Sequence, residues 1–282
     1  MTWKQPRQQV QGFPVQPFCM LTALASRCVR PHRVRAIRVR HTRTMVAPEA
    51  AKGISPGQMA LDPAVKLPDK SRGYLLTLAE SNAWWKVQAA TEAVALLQQT
   101  WRDLNPEKPP PTFEPHAVLD APGALFVAQK DDDAQLATGD PVTIAHSVLE
   151  GVLTDPSKAR ICEHLMRLVP VEDCSGSSIA DVEALAQRVV PKHFNEDKPV
   201  LFAVRAEVHS PRLQDTTVND LVRRVADTVP QTCKVELSPT PHEGRKTIVL
   251  AAVGQNVTMS VVDDWHGFHR YNLQEMRKVA QE

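Results

Sequence analysis

The chain has 282 residues, enough for one large or two modest domains with a buried core, and its net charge of +1 does not by itself announce a nucleic-acid partner. No apolar run reaches the roughly 20 residues needed to cross a bilayer. Five cysteines without CxxC spacing and ten histidines without HxxxH or HExxH spacing argue against a disulfide framework and a zinc site, and for a reducing compartment.

Residues 1–48 hold nine cations and no acid, which leaves 24 cations against 32 acids, a net of −8, in the remainder. A grip on RNA by the folded part must therefore come from a local patch. Three readings of the leader stay open: a mitochondrial or plastid targeting segment, a basic arm that touches RNA, and sequence upstream of a start at Met45. Residues 1–72 are expected to be a disordered basic leader and linker, with residues 1–44 dispensable for folding and for binding by the folded part.

Order is expected from Gly73. Tyr74 to Leu78 reads as a strand, and Ser81 or Asn82 can cap a helix whose Val87, Ala90, Val94, Leu97, Trp101 and Leu104 fall on one face. Trp84 and Trp85 at its start suit a staple against the sheet, or an exposed pair for a base. Six prolines make residues 105–123 extended. Ala124 to Ala128 is a second strand, and residues 130–135 an acidic loop. From Pro141 a helix runs with Ile144, Val148 and Val152 on one side, and residues 160–171 alternate as a strand with Arg167 facing away from His164, Met166 and Leu168. Residues 175–178 form a turn whose Ser178 caps a helix carrying Ile179, Val182, Leu185, Ala186 and Val189.

The next stretch says most about function. Val200 to Val204 suits a strand covered on both faces. Val218, Leu221, Val222, Val225 and Val229 form one helix face, capped by Asp215 or Thr217. A short strand at residues 233–237 precedes two strands around Gly254-Gln255-Asn256, a hairpin with a three-residue loop. Basic side chains gather here: Arg205 and Arg212 flank the end of the first strand, Arg223 and Arg224 ride on the helix, and Arg245 and Lys246 begin a later strand. With Arg167, these are the candidate RNA-binding residues, placed to hold backbone phosphates.

The stretch from Lys198 to Leu273 resembles a THUMP domain, the RNA-binding module of tRNA-modifying proteins. Ser260-Val261-Val262 followed by Arg270-Tyr271-Asn272-Leu273, with the preceding Lys234-Val235-Glu236-Leu237, is similar to the THUMP protein that assists the tRNA cytidine acetyltransferase. Gly73-Tyr74-Leu75-Leu76-Thr77 resembles the ferredoxin-like half that precedes the THUMP domain in that family. The likeness covers about Arg72 to Ala280. It implies an α/β and α+β chain: a ferredoxin-like half at 73–140, then a THUMP domain at 141–275.

The resemblance further implies a non-catalytic adaptor that binds tRNA and presents it to a separate acetyltransferase. Acetyl-CoA and ATP would belong to that partner, leaving this chain with no cofactor. Nucleus or cytoplasm is the implied location, with an organelle open because of the leader. Arg270, Tyr271, Asn272 and Leu273 are the candidate partner-binding residues, and an internal lock between the two halves is the competing role for them. No GxGxxG, GxxxxGK[ST], SGGxDS or GxSxG pattern is present, so no catalytic residue is named. The alternatives are a small α/β enzyme using residues such as His164, Cys174 and Asp181, and an organellar RNA-binding protein.

Overall fold

A computed structural model describes residues 61–130, 139–155, 158, 163–209, 217–235 and 245–281, with backbone alone for Asp62 and Pro63. The basic leader, the acidic loop at residues 131–133, residues 160–162, Arg212, Asp215 and residues 236–237 lie outside the described residues.

The first layer runs β1 (Asp62–Val65), β2 (Gly73–Leu78), α1 (Ala83–Leu104), β3 (Thr112–Val118), β4 (Ala124–Lys130), α2 (Pro141–Thr154) and β5 (Leu165–Val171). The sheet order is β1-β3-β4-β2-β5, antiparallel throughout except for β1 beside β3. From β2 to β5 this is the ferredoxin-like βαββαβ pattern. The expected half is present, but its boundary at 140 is corrected. β2 is a central strand that needs a partner on each edge, and the second partner, β5, comes from residues beyond 140, so the unit closes at Val171.

Asn82 caps α1 by accepting from the Trp85 N–H at 2.9 Å, and Ala90, Val94, Leu97 and Trp101 are buried as the spacing requires. Two strands of this layer escape the sequence reading. β1 lies inside the expected linker. β3 spans a stretch whose prolines suggested irregular chain, yet Pro115 faces Val127 of β4 while β1 pairs with β3 only at His116 and Val118. A missing N–H is tolerated beside so thinly paired an edge.

The second layer follows as β6 (Asp173–Gly176), α3 (Ile179–Val189), β7 (Leu201–Val208), α4 (Val218–Ala226), β8 (Lys234–Val235), β9 (Lys246–Val253) and β10 (Asn256–Asp263). Its order is β6-β10-β9-β7-β8, with β7 parallel to both neighbours. The turn expected at residues 175–178 starts later, because residues 173–176 pair with β10 as a strand. Ser178 caps α3, and Thr217 caps α4 through a reciprocal pair of bonds with Asp220. The hairpin loop has two residues, since Asn256 pairs with Val253. Gly254 takes a φ of +61 there, and a side chain at that position would meet the Leu119 carbonyl at 2.0 Å.

β9 divides its side chains between two cores. Ile248, Leu250 and Ala252 pack with α3 and α4, while Val249, Ala251 and Val253 join the first layer's core. A strand covered on both faces carries a continuous apolar run, as this one does. A last helix, α5 (Leu273–Val279), buries Leu273 and Met276 in the first core.

Two buried polar links hold the layers in register. Glu172, the one residue between β5 and β6, donates its backbone N–H to the Met259 carbonyl at 3.0 Å, while its carboxylate accepts from the Val261 N–H at 2.7 Å. Asn256, fully buried, accepts from the Leu67 N–H at 3.0 Å and donates to the carbonyls of Leu67 at 3.0 Å and Ser175 at 3.2 Å. Truncating it strands buried backbone groups that water cannot reach. Asn256→Ala is therefore expected to cost about 3 kcal/mol, read as a lower urea midpoint with an unchanged slope.

Candidate nucleic-acid interface

The site is built around the segment that leaves β10. Asp264 accepts from the Gly267 N–H at 3.0 Å, and a side chain at Gly267 would collide with that carboxylate at 2.0 Å. His269, Arg270 and Tyr271 then take φ values of 48, 58 and 59°, three consecutive left-handed residues. Such backbone costs on the order of 1–2 kcal/mol per residue, so surrounding contacts must hold it. The Arg270 N–H donates to the Trp265 carbonyl and that of Tyr271 to Phe268, each at 2.8 Å. This turn sends Arg270 into solvent and Tyr271 into the core.

Two adjoining depressions of about 350 and 180 Å3 share His266 and Arg270. Arg167, His269, Asn272 and Glu275 complete the larger, and Arg205, Glu207 and Trp265 line the smaller. Arg167 comes from the first sheet and Arg205 from the second. β5 and β7 thus each contribute a guanidinium to one surface. Beyond Phe202 the outer edge of β7 has no partner strand among the described residues, and Arg205 is exposed.

The electrostatics follow from this geometry. Burial first, then the positive charges of Arg245, Arg205 and Arg270, hold the pKa of His266 below its ordinary value. Its buried Nε2 has no hydrogen-bond partner among the described residues, and neither does the Nε of Arg167. Arg167 is not free, however: its Nη1 donates to Glu207 at 2.7 Å, with both side chains about a quarter exposed. Burial opposes charge on Glu207, yet His209 and Arg167 outweigh it and hold the carboxyl below the usual range. The patch is a set of cations with two carboxylates in its lining, Glu207 paired with Arg167 and Glu275 paired with Lys278, and two of its cations, Arg205 and Arg270, are exposed.

The expected RNA-binding residues therefore divide. Arg167 and Arg205 converge. Arg245 is buried at 4% exposure, so it lends its field to His266 and cannot itself reach a phosphate, which corrects the expectation for that side chain. Arg223 and Arg224 sit on α4, whose apolar side packs on the face of β7 carrying Phe202, Val204 and Ala206, opposite to that of Arg205. Arg224 pairs there with Glu183 at 3.2 Å, and Lys246 pairs with Asp263 at 3.5 Å. Helix periodicity alone cannot tell which sheet face a helix will cover.

The expected partner-binding run is mostly turned inward. Tyr271 and Leu273 are fully buried, Tyr271 among the rings of Trp265, His146 and Phe268 with its hydroxyl bonded to His146 Nε2. Asn272 caps α5, accepting from Gln274 and Glu275. Only Arg270 of the four is exposed. The residues that sequence reasoning passed over are Glu207 and His266; the alternation of β7 was the signal for the first, since it puts Glu207 on the face of Arg205. His164, Cys174 and Asp181 fall into separate hydrogen-bonded groups, with Glu92, the Pro68 carbonyl and Ser178 respectively. Burial pushes the Cys174 thiol up to about 11. Among the described residues there is no group of three His, Cys, Asp or Glu side chains placed to hold a metal, and no helix long and apolar enough to cross a membrane.

No family model matches the chain. An uncharacterised protein of Schizosaccharomyces pombe is 26% identical over 164 residues, covering 57% of this chain and 51% of that protein, so the chain spans about half the length of the relative it matches. Among solved structures, a 4-thiouridine synthetase in complex with RNA and ATP is similar at a TM-score of 0.38 and 7% identity, over 69% of this chain and 42% of that one. TrmN from Thermus thermophilus has a TM-score of 0.33 and 15% identity, over 67% and 44%. A protein of Pyrococcus horikoshii has 0.37 and 12%, over 69% and 56%. Likeness at this level says nothing of activity.

Proposed function

We propose that this chain is a tRNA-binding adaptor without chemistry of its own, which presents tRNA to a separate cytidine acetyltransferase that forms N-acetylcytidine. The observation that carries the reading is the convergence of Arg167, Arg205 and Arg270 around His266, although residues 49–282 carry 24 cations against 32 acids. Guanidiniums on one surface suit phosphates, and depressions lined mainly by charged and polar side chains do not suit a small apolar substrate. The resemblance at Ser260-Val261-Val262 and Arg270-Tyr271-Asn272-Leu273 supports the acetyltransferase as the enzyme served.

The physical benefit is orientation. Holding the shape of a folded tRNA turns a loose encounter between enzyme and cytidine into a positioned one. Acetyl-CoA and ATP are then bound by the enzyme. Nucleus or cytoplasm is the location this reading favours, with an organelle as the alternative.

Reconstitution tests it. Acetylcytidine is expected in tRNA only when acetyltransferase and this chain are both present with acetyl-CoA and ATP. Product from this chain alone would overturn the non-catalytic role, and full activity of the enzyme alone would remove the adaptor.

A further inference from the structure

Trp84, at the start of α1, is 59% exposed, the most exposed large apolar side chain among the described residues. Its ring meets Trp85 edge-on at 6.2 Å and His164 at 5.1 Å, and Trp85 meets His164 at 4.6 Å. Glu92 holds His164 from two sides, accepting from its backbone N–H at 2.9 Å and bonding its ring Nδ1. The half-buried Trp85 suffices as a helix staple, whereas Trp84 keeps an open face on a rigid support. A large ring fixed before binding loses little freedom when a partner arrives.

The surrounding charge selects the partner. Glu80, exposed, accepts from the side chain of the capping Asn82 at 2.9 Å, and exposed Glu163 immediately precedes His164. With Glu92 taken up by His164, the exposed carboxylates neighbouring the rings along the chain are Glu80 and Glu163, against the half-buried Lys86. Such a rim repels a phosphate backbone and attracts a guanidinium or ammonium, and an indole face is the best aromatic partner for either. We infer that this surface docks a cationic peptide segment of a protein partner, with an arginine or lysine laid over Trp84 and Glu80 and Glu163 beside it. The inference deepens the adaptor reading and rests on it for the partner being a protein.

An arginine-rich dodecapeptide, titrated into the full chain by calorimetry, is the probe. Binding is expected to weaken about fivefold in Trp84→Ala and again in Glu163→Lys, with melting temperature and tRNA affinity unchanged in both. A peptide affinity indifferent to Trp84→Ala overturns the inference. So does a loss of tRNA or oligouridylate affinity in that variant, which would make the ring a platform for bases. A wild-type chain that binds no tRNA counts against the adaptor reading alone, because the peptide titration uses no RNA.

Discussion

Tyr271→Ala is expected to lower the melting temperature by about 10 °C and to take tRNA binding down with it. The side chain is fully buried, with ring centroids 5.4 Å from Trp265, 5.6 Å from His146 and 6.0 Å from Phe268. Removing an aromatic ring of this kind costs roughly 3–5 kcal/mol, and each kcal/mol moves the midpoint of a domain this size by about 2–4 °C. Tyr271→Phe separates packing from the hydrogen bond. Burial keeps the phenol pKa well above its ordinary value and holds that of His146 below, so a protonated hydroxyl faces a neutral imidazole. Losing it leaves a half-buried ring nitrogen without that partner, at a cost of about 1 kcal/mol. tRNA binding should fall in Tyr271→Ala because the same turn aims Arg270. If the melting temperature held while an acetyltransferase failed to co-purify, the segment would be a docking site and its role as a lock would be wrong.

Charge reversal on the exposed arginines gives the second large effect. Arg205→Glu combined with Arg270→Glu is expected to weaken tRNA binding about a hundredfold at low salt, since each charge-assisted phosphate contact contributes roughly 1.5–3 kcal/mol. The slope of log affinity against log salt should become shallower by about 1.5, the counterions of two phosphates. The loss should be similar across tRNA species, because phosphate contacts carry no base code. Both side chains are exposed, so stability should stay within about 0.5 kcal/mol of the parent. Arg224→Glu is the control: its guanidinium pairs with Glu183 on the other side of the sheet, and tRNA affinity should hold. Anisotropy titrations at several salt concentrations read all three quantities, and unchanged affinity in a folded double variant would count against the patch.

Elements with a clean period were legible in the sequence. α1, α2, α3 and α4 each place most of the expected residues in a core, with Leu104 at the end of α1 exposed instead, and β9 and β10 fall where their apolar runs predict. What was hidden shares a cause. β1, β3 and β6 are short or carry proline, serine and glycine, and they become strands only because a neighbour offers a ladder: β4 for Pro115, β10 for Cys174 to Gly176. The boundary at 140 failed for the same reason, since pairing of β5 with β2 is a tertiary fact that no local pattern encodes. At the site, the identity of the arginines was readable and their fate was not. Arg167 needed Glu207, and Arg245 needed its burial, before either could be assigned a role.

α5 and the turn before it decide when this protein can fold. Leu67 is clamped by Asn256, 189 positions later, and His146 waits for Tyr271, 125 positions later. A chain made from its N-terminus has β2, α1, β3, β4 and α2 in hand, yet Val249, Ala251, Tyr271, Leu273 and Met276 of the same core are still to come. Contacts at such separations carry a large loop-closure entropy and slow folding. During synthesis the first half therefore stands with its apolar faces uncovered, a natural client for chaperones. The first layer's core is complete only once residues 249–276 have been made.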